Sequence, residues 1–394
     1  MNTAVSIEAV FLESPTKTRY NHGHYPCNGL YFTPSGKKPD TAIIASHYTA
    51  SFTSHYLAEY MASRGYGFLG WDTRCSRAQV ATGFTLENVL IDIGVGIRWL
   101  REQAGIKNVV ILGNSGGASL MGAYQSQAIH PHIIANAAPE EELSNLLPGD
   151  FYISLAAHPG RANVLTEWLD PSVTDENDPL SRDPSLDMYN PENGPPFSQE
   201  FIDRYRAAQV ARNERITERA EQALAYIREG RPQGGSQLSG TGSFGVPTKE
   251  GVFDCFFSVS RQFADLRFTD LQIDPSKRPA GCYMGDPLQS NYSGYGLAPV
   301  TSAREWLSMW SLSRTQVRID KQLPHVTQPA LVISANHDQG CFHSHAQAIY
   351  EALGATDKTL SYIDGDHYIE QFGDRNELAD LIANWLEDRG ATPV

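Results

Sequence analysis

Val109-Val110-Ile111-Leu112-Gly113-Asn114-Ser115-Gly116-Gly117 runs straight into Ala118-Ser119-Leu120-Met121. An unbroken apolar run of this length is what a strand buried on both faces looks like. It ends at a serine bracketed by glycines, in the pattern G-x-S-x-G, and an apolar helix starts at once. A turn this sharp leaves no room for bulky neighbours, which is why Gly113 and Gly117 flank Ser115. It lifts the hydroxyl out of the sheet. The helix that follows directs its amide end at whatever the hydroxyl attacks.

Working outward, the same rhythm repeats on both sides. Val5 to Leu12 and Gly29 to Phe32 read as opening strands, and Thr41 to Ser46 as a buried one. A helix is predicted from Thr53 to Arg64, a strand from Tyr66 to Trp71, an amphipathic helix from Leu86 to Gln103, and a strand from Asn108 to Leu112. Ser115 to Ile129 is the next helix, and Ile133 to Ala138 reads as the next strand. Strands alternating with helices predict a parallel sheet with right-handed crossovers, an α/β fold.

The rhythm then breaks. Residues 140–300 are rich in Pro, Gly, Asp and Asn, as in Asn190-Pro191-Glu192-Asn193-Gly194-Pro195-Pro196. One long helix, Gln199 to Glu229 with Ser198 as its N-cap, interrupts them. Arg231 to Gly245 is Gly/Ser-rich and reads as a mobile linker. The alternation returns with a helix from Ser302 to Ser311, a strand from Ala330 to Ser334, a helix from His343 to Leu353, a strand from Lys358 to Ile363 and a helix from Glu377 to Asp388. The expected organisation is a core of residues 1–139 and 301–394, with 140–300 inserted as a cap.

A serine hydroxyl barely ionises at neutral pH, so it needs a general base, and the base needs an acid to orient it. Open parallel sheets carry their chemistry at the C-terminal ends of strands. Asp338 follows the strand Leu331-Val332-Ile333-Ser334, and His367 lies just past the last strand in Asp364-Gly365-Asp366-His367-Tyr368. The order Ser115, Asp338, His367 resembles that of α/β-hydrolase-fold enzymes, with the likeness spanning residues 28–139 and 300–390. The resemblance implies Ser115 as nucleophile, His367 as base and Asp338 as its orienter. Glu140 or Glu141 is the competing acid.

The same resemblance implies an oxyanion hole formed by the amide of Gly116 and by a second donor after the third strand. There the usual His-Gly is replaced by His47-Tyr48-Thr49, leaving Tyr48 and Thr49 as alternatives and suggesting a ring that narrows the pocket. His47, Asn114, Cys75, Trp306 and Trp310 are candidate substrate-binding residues. His337, Cys341, His343 and His345 crowd together, but their spacing fits no metal motif, so no metal is expected and no cofactor is implied. Asp72-Thr73-Arg74 reads as a structural turn beneath the site.

The chain has 394 residues, 41% of them hydrophobic, and a net charge of −14 without basic runs, which argues against nucleic acid or an anionic membrane as partner. No signal peptide or membrane span is evident, and five scattered cysteines suit reduced thiols in a cytoplasm. The oligomeric state is open, a homodimer included. Aromatic residues of the insertion, among them Phe151, Tyr152, Trp168, Tyr189, Phe257 and Tyr283, suggest a covered pocket for a small to medium hydrophobic acyl compound. Three functions compete: a serine esterase or lactonase (with thioester or amide cleavage as variants), a cofactor-independent carbon–carbon hydrolase, and a binding scaffold without turnover.

Overall fold

In a computed structural model that describes residues 4–17, 23–76, 84–136, 138–229 and 254–394, the apolar runs become the strands of an eight-stranded sheet. Val5–Lys17 (β1) and His24–Pro34 (β2) pair antiparallel. Thr41–Ala45 (β3), the helix Ala58–Ser63 (α1), Gly67–Asp72 (β4), the helix Leu86–Glu102 (α2), Asn108–Asn114 (β5) and the helix Gly117–Ile129 (α3) follow. A short helix Glu140–Ser144 (α4) leads to Phe151–Leu155 (β6) and the helix Arg161–Trp168 (α5). Next come the long helix Gln199–Glu229 (α6), Phe256–Ser258 (β7), Pro287–Asn291 (α7), Val300–Ser302 (β8), Ala303–Glu305 (α8) and Ile319–Gln322 (α9). Ala330–Ala335 (β9), the helix His343–Ala352 (α10), Lys358–Ile363 (β10) and the helix Arg375–Glu387 (α11) close the chain.

The sheet order is β1-β2-β4-β3-β5-β6-β9-β10. From β4 to β10 every neighbouring pair is parallel, and β2 is antiparallel to both of its neighbours. Alternation along β5 feeds both faces. Val109 and Ile111 join the core under α2 and α3, while Val110 and Leu112 join the one under α1 and α11. Among the described residues no helix is long and apolar enough to cross a membrane.

The described residues of the stretch 133–138, predicted as a strand, form none. Side chains claim its amides: Gln127 Oε1 accepts from His132 and Ile133, and Gln316 Oε1 accepts from Ile134. Ile134 is 65% exposed. The sheet position goes instead to β6, which pairs with β5 and β9. β6, a member of the sheet, thus falls within residues 140–300, the stretch expected as an insertion, and among the described residues the segment between β6 and β9 adds no strand to that sheet.

That segment leans on buried arginines. Ser198 caps α6 by accepting from the amide of Phe201 at 3.2 Å. Arg212, on the buried face of α6, meets both carboxylate oxygens of Glu176 at 2.9 Å and donates to the carbonyls of Asp170, Ser260 and Arg261. Removing one member of a buried charge pair leaves the other uncompensated. Arg212→Met is expected to lower stability by about 3 kcal/mol, read as a shift in the urea unfolding midpoint at unchanged slope. The Gly/Ser-rich stretch Arg231 to Gly245 lies outside the described residues.

Candidate active site

The turn after β5 is as tight as its glycines require. A Cβ on Gly113 would sit 2.2 Å from the Ala118 Cα, and one on Gly117 would sit 2.5 Å from the Ser46 carbonyl oxygen. Ser115 between them adopts φ 57°, a left-handed conformation that costs a non-glycine residue of order 1–3 kcal/mol. The surroundings hold it there. Its amide donates to Leu155 O at 3.0 Å, and Asn114 Nδ2 donates to the same carbonyl at 2.9 Å. Asn114 Oδ1 lies 3.2 Å from His55 Nε2. Asn114 thus lines the site while clamping the elbow onto β6.

Loops at the C-terminal ends of β9 and β10 bring Asp338 and His367 to the serine. His367 Nε2 is 3.0 Å from Ser115 Oγ, and His367 Nδ1 is 2.8 Å from Asp338 Oδ2. The other oxygen of Asp338 accepts from the amides of Gly340 and Cys341 at 2.8 and 2.9 Å. With its acceptors so arranged, the buried carboxylate takes the Nδ1–H of His367 and leaves the Nε2 lone pair for the serine hydroxyl. Burial alone would depress the imidazole pKa, but the Asp338 charge and hydrogen bond raise it above its ordinary value of 6.5.

A cavity of about 200 Å³ opens over Ser115. Phe52, Val164, Trp168, Tyr283, Leu297 and Tyr368 supply its apolar wall. Its polar side is His47, His158 and Arg161, beside Gly116. A Cβ on Gly116 would lie 3.0 Å from His47 Nε2, 3.2 Å from Arg161 Nε and 3.4 Å from His158 Nε2. His47 Nδ1 accepts from the amides of Thr49 and Ala50, so its proton sits on Nε2, facing the cavity. Burial, with Arg161 nearby, holds His47 well below the usual imidazole range, so it is neutral at pH 7.

Among solved structures, that of the α/β hydrolase GrgF from Penicillium sp. sh18 is similar across 97% of this chain and 98% of its own, with a TM-score of 0.52 at 12% identity. The fold is that of an α/β hydrolase. The esterase domain of a Rhodothermus marinus protein (12% identity, 97% and 98% covered, TM-score 0.45) and the dienelactone hydrolase of Anabaena variabilis ATCC 29413 (11%, 98% and 98%, 0.43) are also similar. No protein-family model and no curated protein sequence matches the chain. Identities this low speak to the fold alone.

On this α/β-hydrolase frame several expected pocket residues lie elsewhere. The Tyr48 ring is buried below the site, its hydroxyl 3.1 Å from Ser119 Oγ, so it does not narrow the cavity. The Thr49 amide is committed to His47 Nδ1, whereas the Tyr48 amide makes no hydrogen bond among the described residues. Cys75 is core, and burial pushes its thiol up to about 12. Trp306 and Trp310 are fully buried rather than in the wall, with Trp306 Nε1 donating to Thr217 and the Trp310 ring under Arg161. Of the aromatic residues expected over the pocket, Trp168 and Tyr283 reach it. Glu140 and Glu141 sit on the exposed α4, away from the cavity.

His337 stacks on Phe372, His343 packs against Tyr362, and His345 bonds Glu167, so the crowded histidines disperse to separate partners. Asp338, Cys341 and His367 do offer ligand atoms within 4.8 Å of one another, but two of them already bond each other beside the serine. The Asp72 turn is structural: Asp72 accepts from Ser51 Oγ and the Phe52 amide, and Arg74 pairs with buried Asp92 at 2.6 Å. Reading the sequence missed His158 and Arg161. Both follow β6, and the signal was Phe151-Tyr152-Ile153-Ser154-Leu155 after the turn Pro148-Gly149-Asp150.

Proposed function

We propose that the protein is a serine hydrolase that cleaves an ester or lactone bond of a small substrate through an acyl-enzyme. The observation that carries this reading is the continuous hydrogen-bonded line from Asp338 through His367 to Ser115 Oγ, at 2.8 and 3.0 Å. His367 Nε2 takes the hydroxyl proton as Oγ attacks the carbonyl carbon. The oxyanion is held by the amides of Gly116 and Tyr48 and by the Nε2–H of His47. His367 then gives its proton to the departing alkoxide. Water, deprotonated by the same imidazole, releases the acid and restores Ser115. A cavity near 200 Å³ is smaller than the roughly 300–1,000 Å³ of drug-sized ligand sites, which favours a short acyl group over a polycyclic one. Free thiols at all five cysteines fit a reducing, cytoplasmic setting.

A fluorophosphonate probe tests the reading directly. Covalent labelling of Ser115, with turnover of short-chain p-nitrophenyl esters, is the expected result; a folded protein that neither labels nor turns over is a binding scaffold instead. Cleavage of a β-diketone without ester turnover would move the assignment to carbon–carbon hydrolysis.

The pH profile carries a second expectation. The imidazole works as a base only when neutral, and its pKa lies above 6.5. Activity should therefore fall as pH drops through that raised pKa, with log kcat/KM on the acid limb tending to unit slope. A flat profile from pH 8 down to pH 5 would remove His367 from the role.

A further inference from the structure

We propose that this site selects acyl substrates carrying a carboxylate one or two methylene groups from the reacting carbonyl, with Arg161 as the receptor for that charge; the inference rests on the serine-hydrolase reading above. Arg161 is 8% exposed, and among the described residues it makes no ion pair. Its Nη1 reaches the sulfur of Met309 at 3.6 Å and its Nη2 the hydroxyl of Thr49 at 3.2 Å. Among the described residues its Nε makes no hydrogen bond, and it faces the cavity beside Gly116. The rings of Tyr48 and Trp310 lie 4.9 and 5.0 Å from the guanidinium carbon, which fixes the group in place without neutralising it.

Buried charges in proteins are normally paired, because taking an unpaired ion out of water costs several kcal/mol. The nearby carboxylates do not fill that role. Glu305 makes no ion pair with Arg161 among the described residues: one carboxylate oxygen accepts from Trp310 Nε1 at 3.5 Å, and burial pushes the carboxyl up to about 7, while Asp338 is committed to His367 and two amides. Burial lowers the guanidinium pKa only to about 10, so the cation persists at neutral pH. A transient oxyanion does not explain a full charge waiting in the resting enzyme. A carboxylate on the substrate does, since a guanidinium can offer it parallel N–H groups.

His158 completes the cradle. It is 6% exposed, its Nδ1 is buried without a partner among the described residues, and its Nε2 faces the same point as Arg161 Nε. Burial, with His345 and Arg161 nearby, keeps it neutral, so it can donate one hydrogen bond to the carboxylate without adding charge. The apolar wall of Trp168, Tyr283 and Leu297 bounds the remaining space. The reaction is ordinary ester hydrolysis: the carboxylate of a half-ester of a short dicarboxylic acid and water give the dicarboxylate, an alcohol and one proton released to solvent.

The test compares methyl hydrogen succinate with its neutral isostere, methyl succinamate, on the full chain. Wild type should favour the half-ester in kcat/KM by about 30-fold or more, the scale of a buried charge-assisted contact. Arg161→Met should bring the ratio to about one, and Arg161→Lys should keep part of it. Where turnover of both is too slow to measure, the same ratio is read as protection of Ser115 against the fluorophosphonate. A wild-type ratio near one, or a ratio that survives in folded Arg161→Met, overturns the proposal while Ser115 labelling leaves the hydrolase reading standing. Loss of labelling in wild type would fell both.

Discussion

Ser115→Ala is expected to reduce hydrolysis of p-nitrophenyl acetate by about 10⁴–10⁶-fold, the scale seen when a serine nucleophile is removed and only the oxyanion donors remain. The change deletes one oxygen and keeps Cβ, so the backbone at φ 57° carries the same strain as before. The Leu155 carbonyl still receives the amide of residue 115 and Nδ2 of Asn114. The thermal midpoint should stay close to that of wild type, so that loss of rate is not loss of fold. Turnover in the variant within tenfold of wild type would mean that another group attacks the substrate.

Asp338→Asn is the second large effect, about 10⁴-fold in kcat/KM. The two oxygens of Asp338 have different duties. One accepts from the amides of Gly340 and Cys341, and the other accepts from His367 Nδ1. An asparagine can satisfy the two amides with its single carbonyl, which turns its NH₂ toward the imidazole. The ring must then present a lone pair at Nδ1 and carry its proton on Nε2, aimed at Ser115 Oγ. A base whose proton already points at the nucleophile cannot accept another. The loop stays in place, so the deficit should appear in both the rate of fluorophosphonate labelling and the rate of turnover. Glu140→Gln, on the exposed α4, should change neither; a large loss there with an active Asp338→Asn would exchange the roles of the two acids.

The candidate site was legible in the sequence because its residues follow strand ends. Ser115, Asp338 and His367 each come within a few residues of the end of a predicted strand, and those strands are β5, β9 and β10 with bounds close to those expected. The recognition side was less legible for a local reason. Ile133 to Ala138 has the composition of a strand, but the side-chain carbonyls of Gln127 and Gln316 occupy its amides, a contact between residues up to 182 apart that no window of sequence displays. Placing a strand there hid β6, and with it His158 and Arg161. The tryptophans misled in the opposite direction. Trp306 and Trp310 look like pocket aromatics by proximity to the insertion, yet their spacing turns them inward, where Thr217 and Glu305 meet their indole N–H groups.

Ser115, Asp338 and His367 hang from the sheet, whereas Arg161, Val164, Trp168, Tyr283 and Leu297 belong to the stretch of chain between β6 and β9. On the proposed hydrolase reading, reactivity and much of the choice of reactant would therefore be written on separable lengths of polypeptide that share one wall. A graft that exchanges everything from His158 to Leu297 for the corresponding length of another protein of this architecture would carry a new preference in, and the bond-breaking apparatus would not need to be redrawn.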